Sequence, residues 1–172
     1  MINKKVEKAF NDQINAEIYS SYLYLSMSAY FDSLNLAGFG SWMRVQAQEE
    51  LVHAMKFFTF IRDRGGRVTL AAIEGPATKW DSPLKAFEDA YKHETKVTER
   101  INNLVDLATQ VKDHASVAFL QWFVTEQVEE EASADAVIKK LTLIKDSAPL
   151  LLMLDRELAA RTFQMPPTAP AD

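Results

Sequence analysis

Residues 1–37, 41–64 and 84–148 of this 172-residue chain contain neither glycine nor proline, which makes helix the default reading for most of its length. The five glycines and six prolines gather at Gly38 and Gly40, between Gly65 and Pro83, at Pro149, and from Pro166 onward. The uninterrupted windows are rich in Ala, Leu, Glu, Lys, Gln and Met, which lose little side-chain freedom in a helix. The third window is too long for one helix of a compact domain. Its apolar period lapses across Gln110 to His114, where Asp113 can cap a new start.

Four long helices are therefore expected: about Asn3–Asp32, Ala37–Arg64, Pro83–Val111 and Ala115–Lys145. At about 1.5 Å per residue each spans roughly 40 to 45 Å, the dimension of a long helix bundle. The short links, Asp32 to Leu36 and Gln110 to His114, make the first two helices antiparallel and the last two likewise. Gly65 to Ser82 is a different kind of link. At about 3.3 Å per residue it can run the length of a bundle, so the second and third helices can be parallel. Pro149 suits the first turn of a shorter fifth helix, about 149–163, with a flexible tail over 164–172. The expected fold class is all-α, a four-helix bundle over about 3–145 with a long crossover and a short fifth helix, the whole chain 1–172 forming one domain.

Composition narrows the function classes. With 19 Lys+Arg against 24 Asp+Glu, the net charge of −5 argues against a strongly basic nucleic-acid binder. The absence of cysteine excludes a disulfide scaffold, a thiolate metal site and a thiol nucleophile. The first residues have no apolar run of signal-peptide length, and no stretch is apolar enough to span a membrane. These features lead to the expectation of a cytoplasmic protein without nucleic-acid or membrane partners.

Stepping alternately by four and three along the second helix gives Phe39, Met43, Gln46, Glu50, His53, Phe57 and Phe60 on one face. The same walk on the first gives Val6, Phe10, Gln13, Glu17, Ser21 and Tyr24. On the third it gives Leu84, Phe87, Tyr91, Glu94, Val97, Ile101 and Leu104, and on the fourth Leu120, Phe123, Gln127, Glu130, Ala134, Val137, Leu141 and Ile144. Each apolar stripe thus carries one glutamate, within about one turn of its helix midpoint. Four buried carboxylates repel one another and are costly to desolvate, so they require cations or protons. Two divalent ions supply the matching charge. Oxygen donors with one imidazole and no sulfur suit iron or manganese, with zinc as a competitor. Glu50-Leu51-Val52-His53 is moreover a Glu-x-x-His motif, the spacing known from di-iron helix bundles. Tyr24, Tyr91, Trp42 and Trp122 read first as packing residues.

The sequence resembles the non-haem bacterial ferritins over nearly its whole length. The resemblance is carried by Glu17 in NAEIYSSYLY, by QAQEELVHA around Glu49, Glu50 and His53, by Glu94 in YKHETK, and by TEQVEEE around Glu126 to Glu131. It implies a ferroxidase centre in which Glu17, Glu50 and His53 hold one iron and Glu50, Glu94 and Glu130 the other, bridged by Glu50. Gln127 falls where the family has a polar residue near the second iron, and Tyr24 matches a tyrosine often assigned a hydrogen-bonding or redox role. A third iron position carries over to Glu49, Glu126, Glu129 and Glu130, with a solvated acidic face as the competing reading. The second Glu-x-x-His of haem-binding bacterioferritins is replaced by Gln127-Val128-Glu129-Glu130, and Leu51 stands where those relatives carry a haem-ligating methionine, so no haem is expected. Lys4, Lys5 and Lys8 form only a mild basic cluster, unlike the tails of DNA-protecting mini-ferritins.

The implied function is iron storage and detoxification. Fe(II) is oxidised by dioxygen or hydrogen peroxide, and ferric oxo-hydroxide mineral is held inside a homo-oligomeric shell, twenty-four subunits in most of the family. Two other classes fit the same stripes: a di-iron carboxylate oxidase acting on an organic substrate, and a metal-free helical interaction module whose acids are exposed.

Overall fold

The computed structural model describes residues 1–145 and 147–164. Five helices follow in order: α1 (Lys4–Ser33), α2 (Ala37–Asp63), α3 (Pro83–Gln110), α4 (His114–Ile144) and α5 (Ala148–Leu158). Among the described residues there is no strand, and no helix is long and apolar enough to cross a membrane.

Local chemistry fixes the helix ends. The Asn3 side chain accepts from Lys5 N at 2.9 Å to cap α1, and Ser82 accepts from Lys85 N at 3.1 Å to cap α3, with Pro83 in the first turn. Asp113 caps α4 through Ser116 N at 3.3 Å, as its position in the sequence suggests. It does more, because its carboxylate also pairs with Arg64 at 3.0 Å just past α2 and accepts from Asn3 N at 3.4 Å. One carboxylate therefore ties three helix ends together. Gly65, at φ +68°, turns the chain out of α2.

The crossover takes the expected path. Asn11 donates to Arg67 O at 3.0 Å, Asn15 to Ala72 O at 3.0 Å, and Ser26 to Ala77 O at 2.6 Å, so the link climbs along α1. Trp80 packs against Tyr30 with ring centroids 5.3 Å apart, delivering the chain to the end of the bundle where α1 finishes. α2 and α3 consequently run parallel.

The fifth helix is shorter than expected. It stops at Leu158 rather than near Phe163, and Ala159–Ala160 form a turn, because the next residue, Arg161, is captured by α2. Gly38 permits this approach: a Cβ there would lie 1.7 Å from the Asp155 carbonyl oxygen. The anticipated tail from residue 165 onward lies outside the described residues.

The inward stripes are largely those read from the sequence. Four positions differ: Leu84, Tyr91, Phe60 and Ile144 are only partly covered, and Ala86, Ala90 and Ile61 are buried instead on α3 and α2. The small side chains let α3 sit closer to its neighbours and rotate the bulky Tyr91 to the edge. Two apolar clusters fill the bundle. One centres on Phe10, Phe57 and Phe123, where Phe57 and Phe123 lie 4.3 Å apart; the other centres on Phe31, Phe39, Met43 and Phe87. Between them lies a buried polar belt: Gln13, Glu17, Gln46, Glu50, His53, Glu94, Gln127 and Glu130.

Candidate metal centre

All four stripe glutamates lie in that belt. Glu17 comes from α1, Glu50 from α2, Glu94 from α3 and Glu130 from α4, each at most 6% exposed. Glu17, Glu50 and His53 each bring one ligand atom within 4.8 Å of the others. His53 Nδ1 stands 3.4 Å from Glu50 Oε2, one helical turn away, as the Glu-x-x-His spacing requires. Glu17 Oε2 is buried with no hydrogen-bond partner. An acceptor oxygen without a donor in an apolar bundle is what a metal-ligating carboxylate looks like before its cation arrives.

The second pair is held differently. Tyr24 donates its hydroxyl to Glu94 Oε1, and Gln127 Nε2 donates to Glu94 Oε2 at 3.2 Å. Gln46 Nε2 donates to Glu130 Oε2 at 2.6 Å and to Glu50 Oε1 at 3.2 Å, linking the shared carboxylate to α4. Glu130 also converges with His53 and Glu126 within 4.8 Å, and Glu126 Oε1 is 3.7 Å from His53 Nε2. Gln127 further reaches Thr98 Oγ1 at 3.3 Å, which donates to Glu131 Oε1 at 2.5 Å. This polar chain lines a groove of about 500 Å³ between α3 and α4.

The electrostatics follow from burial. Desolvation raises the carboxyls of Glu17, Glu50 and Glu130 above the usual range, and Glu94 is pushed up to about 8 by burial and by Glu50 beside it. Burial opposes charge on His53, yet Glu126, Glu50 and Glu17 outweigh it and hold the imidazole well above its ordinary value. Burial likewise lifts the Tyr24 phenol, helped by Glu94 and Glu50. Without metal, the raised carboxyls and the raised imidazole both lean toward their protonated forms. A divalent cation displaces those protons.

Of the residues of the expected third position, two come together and two do not. Glu126 and Glu130 face His53, Glu129 is exposed, and Glu49 on α2 is drawn instead to Arg161.

Sequence reasoning named Gln127 but did not single out the belt's other two amides, Gln13 and Gln46, as working residues. Gln13 Nε2 donates to Glu17 Oε1 at 2.9 Å and is itself held by Arg100 Nε at 3.0 Å. Gln13–Glu17 and Gln46–Glu50 share an i,i+4 spacing, and that repeated Gln-x-x-x-Glu was the available signal. His93, lowered to about 4 by burial and by Lys96 and Arg100, stands 2.8 Å from Ser20 Oγ and takes no part in the cluster.

The fold and the belt together define a class: an antiparallel helix bundle with a buried, metal-competent cluster of carboxylates and one histidine. A family model described as a ferritin-like domain matches residues 7–144. The chain is 42% identical over 163 residues to the bacterial non-heme ferritin of Staphylococcus saprophyticus, covering 95% of this chain and 98% of that protein. The Staphylococcus aureus USA300 protein of the same description is 39% identical over the same coverage. Among solved structures, an open pore ferritin from Archaeoglobus fulgidus is 59% identical with a TM-score of 0.93, covering 94% of this chain and all 100% of that one. An engineered closed form of the Archaeoglobus fulgidus ferritin is 60% identical with a TM-score of 0.94, covering 95% of this chain and 100% of that chain. The chain belongs to the ferritin-like family, among the non-haem ferritins.

Proposed function

We propose that this protein stores and detoxifies iron, taking up Fe(II), oxidising it at the buried belt and retaining the product as ferric oxo-hydroxide inside a shell of its own copies. One observation carries the reading: Glu17, Glu50 and His53, from two helices, bring ligand atoms within 4.8 Å of one another in a core otherwise closed by apolar side chains.

Iron is the substrate here. Glu17, Glu50 and His53 bind the first ferrous ion, and Glu50, Glu94 and Glu130 the second, with Glu50 shared. Anionic oxygen donors favour the ferric state, which lowers the barrier to losing an electron. Each of two ferrous ions gives up one electron. With dioxygen as oxidant, two protons are consumed and hydrogen peroxide forms; with peroxide, two further protons are consumed and water forms. The protons leaving the raised carboxyls as iron binds are available for this step. Tyr24 and Gln127 aim the two oxygens of Glu94, and Gln46 holds Glu130 against Glu50. Glu49, Glu126, Glu129 and Glu130 serve as a third, weaker position on the product's way out.

Assembly rests on the surface of α4 and α5. Leu143 is 82% exposed and Met153 66%, with Leu150 and Leu152 beside them, an apolar face that needs cover in water. We assign it to contacts between copies in a 24-subunit shell, working in the cytoplasm, with the whole chain 1–172 acting as one ferritin-like unit. Of the bulky side chains expected to face inward, Phe10, Met43, Phe57, Phe87 and Phe123 are buried and Phe60 is partly covered; this filled bundle supports storage over oxidation of an organic substrate.

The test is anaerobic Fe(II) titration followed by exposure to oxygen. Wild-type protein should oxidise iron rapidly and retain far more than about two ions per chain, in a particle of shell size on gel filtration. Glu130→Ala should lose the rapid phase. Wild-type oxidation rates in that variant would remove Glu130 from the centre, and retention of only about two ions per chain would replace storage with an oxidase.

A further inference from the structure

Arg161 makes an ion pair that the ferroxidase chemistry does not use. It lies three residues beyond the end of α5, and its guanidinium turns back along α2 to pair with Glu49 through Nη2. On the way it stacks over Trp42, 4.2 Å from the ring centroid. Trp42 and Glu49 are two turns apart on one side of α2, and Phe39, one turn earlier still, donates its backbone N–H to Asp155 Oδ1 at 3.0 Å. The end of the described chain is thereby fastened along the helix that carries Glu50 and His53.

We propose that Arg161 is a tethered counter-cation for the third iron position, so that a metal settles there only by displacing the guanidinium from Glu49. This rests on the reading of Glu49 as a third-position ligand. Both partners are largely covered, at 23% and 20% side-chain exposure, so the pair is screened less than a surface contact. The guanidinium and a metal ion compete for the same carboxylate, and only one can have it. The arrangement also favours exchange. Arg161 Nη1 is buried without a partner, so the guanidinium is incompletely satisfied where it stands, and the Trp42 face offers a cation–π seat it can keep after Glu49 swings away. Of the remaining third-position groups, Glu126 and Glu130 gather at His53 and Glu129 is exposed, so none of them takes the place of the guanidinium on Glu49. A third position guarded in this manner is kept weak, which suits a place that product passes through. Arg161 acts through Glu49 and is a positioning residue.

Zinc calorimetry on the iron-free, fully assembled protein tests this without turnover. Wild type is expected to show tight classes for the ferroxidase pair and one weaker class. In Arg161→Gln the weaker class should tighten by about tenfold, between the effect of a surface ion pair and that of a buried one, with the tight classes unchanged. Arg161→Lys, which keeps the charge, should restore most of the wild-type weakness. Adding Glu49→Gln to Arg161→Gln should abolish the gain. An unchanged weak class in Arg161→Gln overturns the proposal, and if Glu49→Gln alone still loses that class, the third-position reading survives. Loss of the weak class in Arg161→Gln also overturns it, since Arg161 would then be holding Glu49 in place for the metal. Absence of a weak class from every variant defeats both the proposal and the third position, while the tight classes still report on the ferroxidase pair.

Discussion

The two halves of the buried belt are built from the same residue type and prepared in opposite ways. Glu17, Glu50 and His53 already converge, and one oxygen of Glu17 stands buried without a donor. Glu94 and Glu130 are engaged by Tyr24, Gln127 and Gln46. A cation entering the first half displaces protons but meets a Glu17 oxygen free of any donor, whereas one entering the second must displace protons and also draw Glu94 and Glu130 away from the donors that engage them. The first pocket should therefore fill first and hold harder. Replacing the second histidine of haem-type relatives by an acid at Glu130 acts in the same direction, because no second imidazole remains to anchor that iron. An asymmetric pair suits turnover: one metal stays as a template while its neighbour comes and goes.

The largest effect should follow from removing what the halves share. On the proposed reading Glu50→Ala takes a ligand from both irons, and rapid Fe(II) oxidation should fall on the order of a hundredfold or more. In metal-free protein the same change relieves a buried, poorly solvated carboxyl but leaves His53 without that partner, so the two effects oppose and the melting temperature should change far less than activity does. Stopped-flow oxidation paired with thermal melting reads both. If Glu50→Ala abolished only one of two cation-binding classes, the shared role would be wrong and the halves would be independent.

Next in size is the response of the metal-free protein to pH. The Glu94 carboxyl is raised from 4.5 to about 8 by burial and by Glu50, so the folded state holds a proton that the unfolded chain has released. Its contribution is complete below about pH 4.5 and is lost as pH rises through about 8. His53, also raised, acts in the same direction, its contribution full below 6.5 and lost at higher pH. Asp113 and Glu7 are lowered, so their contributions are already complete at about pH 5 and do not vary across this window. The melting temperature of apo-protein should thus drop by about 5 °C or more between pH 6.5 and 8, above the range in which the lowered His93 gains stability with pH. Zinc should flatten the slope by taking the place of the protons. A flat apo profile would mean that the belt is already hydrated or charged, and the contrast between its halves would disappear.

Most of this architecture was legible in the chain, for an identifiable reason. Glycine and proline confined to the links mark helix ends sharply, and an acid recurring in apolar stripes at matching heights is hard to produce by chance. The length of the crossover allowed the direction that α3 takes. What escaped were features decided by tertiary contact. The periodicity of α3 could not tell whether Ala90 or Tyr91 faced the core, because a small residue buries as readily as a large one when helices approach closely. The end of α5 was misplaced because Arg161 leaves the helix for a partner on α2. The pairing of the same arginine with Glu49 was equally hidden. Nothing local in the sequence announces a contact between residues so far apart along the chain.

The smallest effect should be the most discriminating. Tyr24 donates to Glu94 alone, and Glu94 keeps a second donor in Gln127 at 3.2 Å. Tyr24→Phe therefore leaves the first pocket untouched and frees one oxygen of the second. Loss of one charge-assisted hydrogen bond corresponds to about tenfold. Iron oxidation should slow by up to that amount, and of the two tight zinc classes only the weaker should shift. The fold should be indifferent, since a phenyl ring fills the same volume between Met27, Phe87 and their neighbours in that cluster and leaves no phenol to desolvate. Equal shifts in both classes would show that Tyr24 communicates with Glu50 as well, making the belt one network. No shift at all would assign the orientation of Glu94 to Gln127 and reduce the tyrosine to packing.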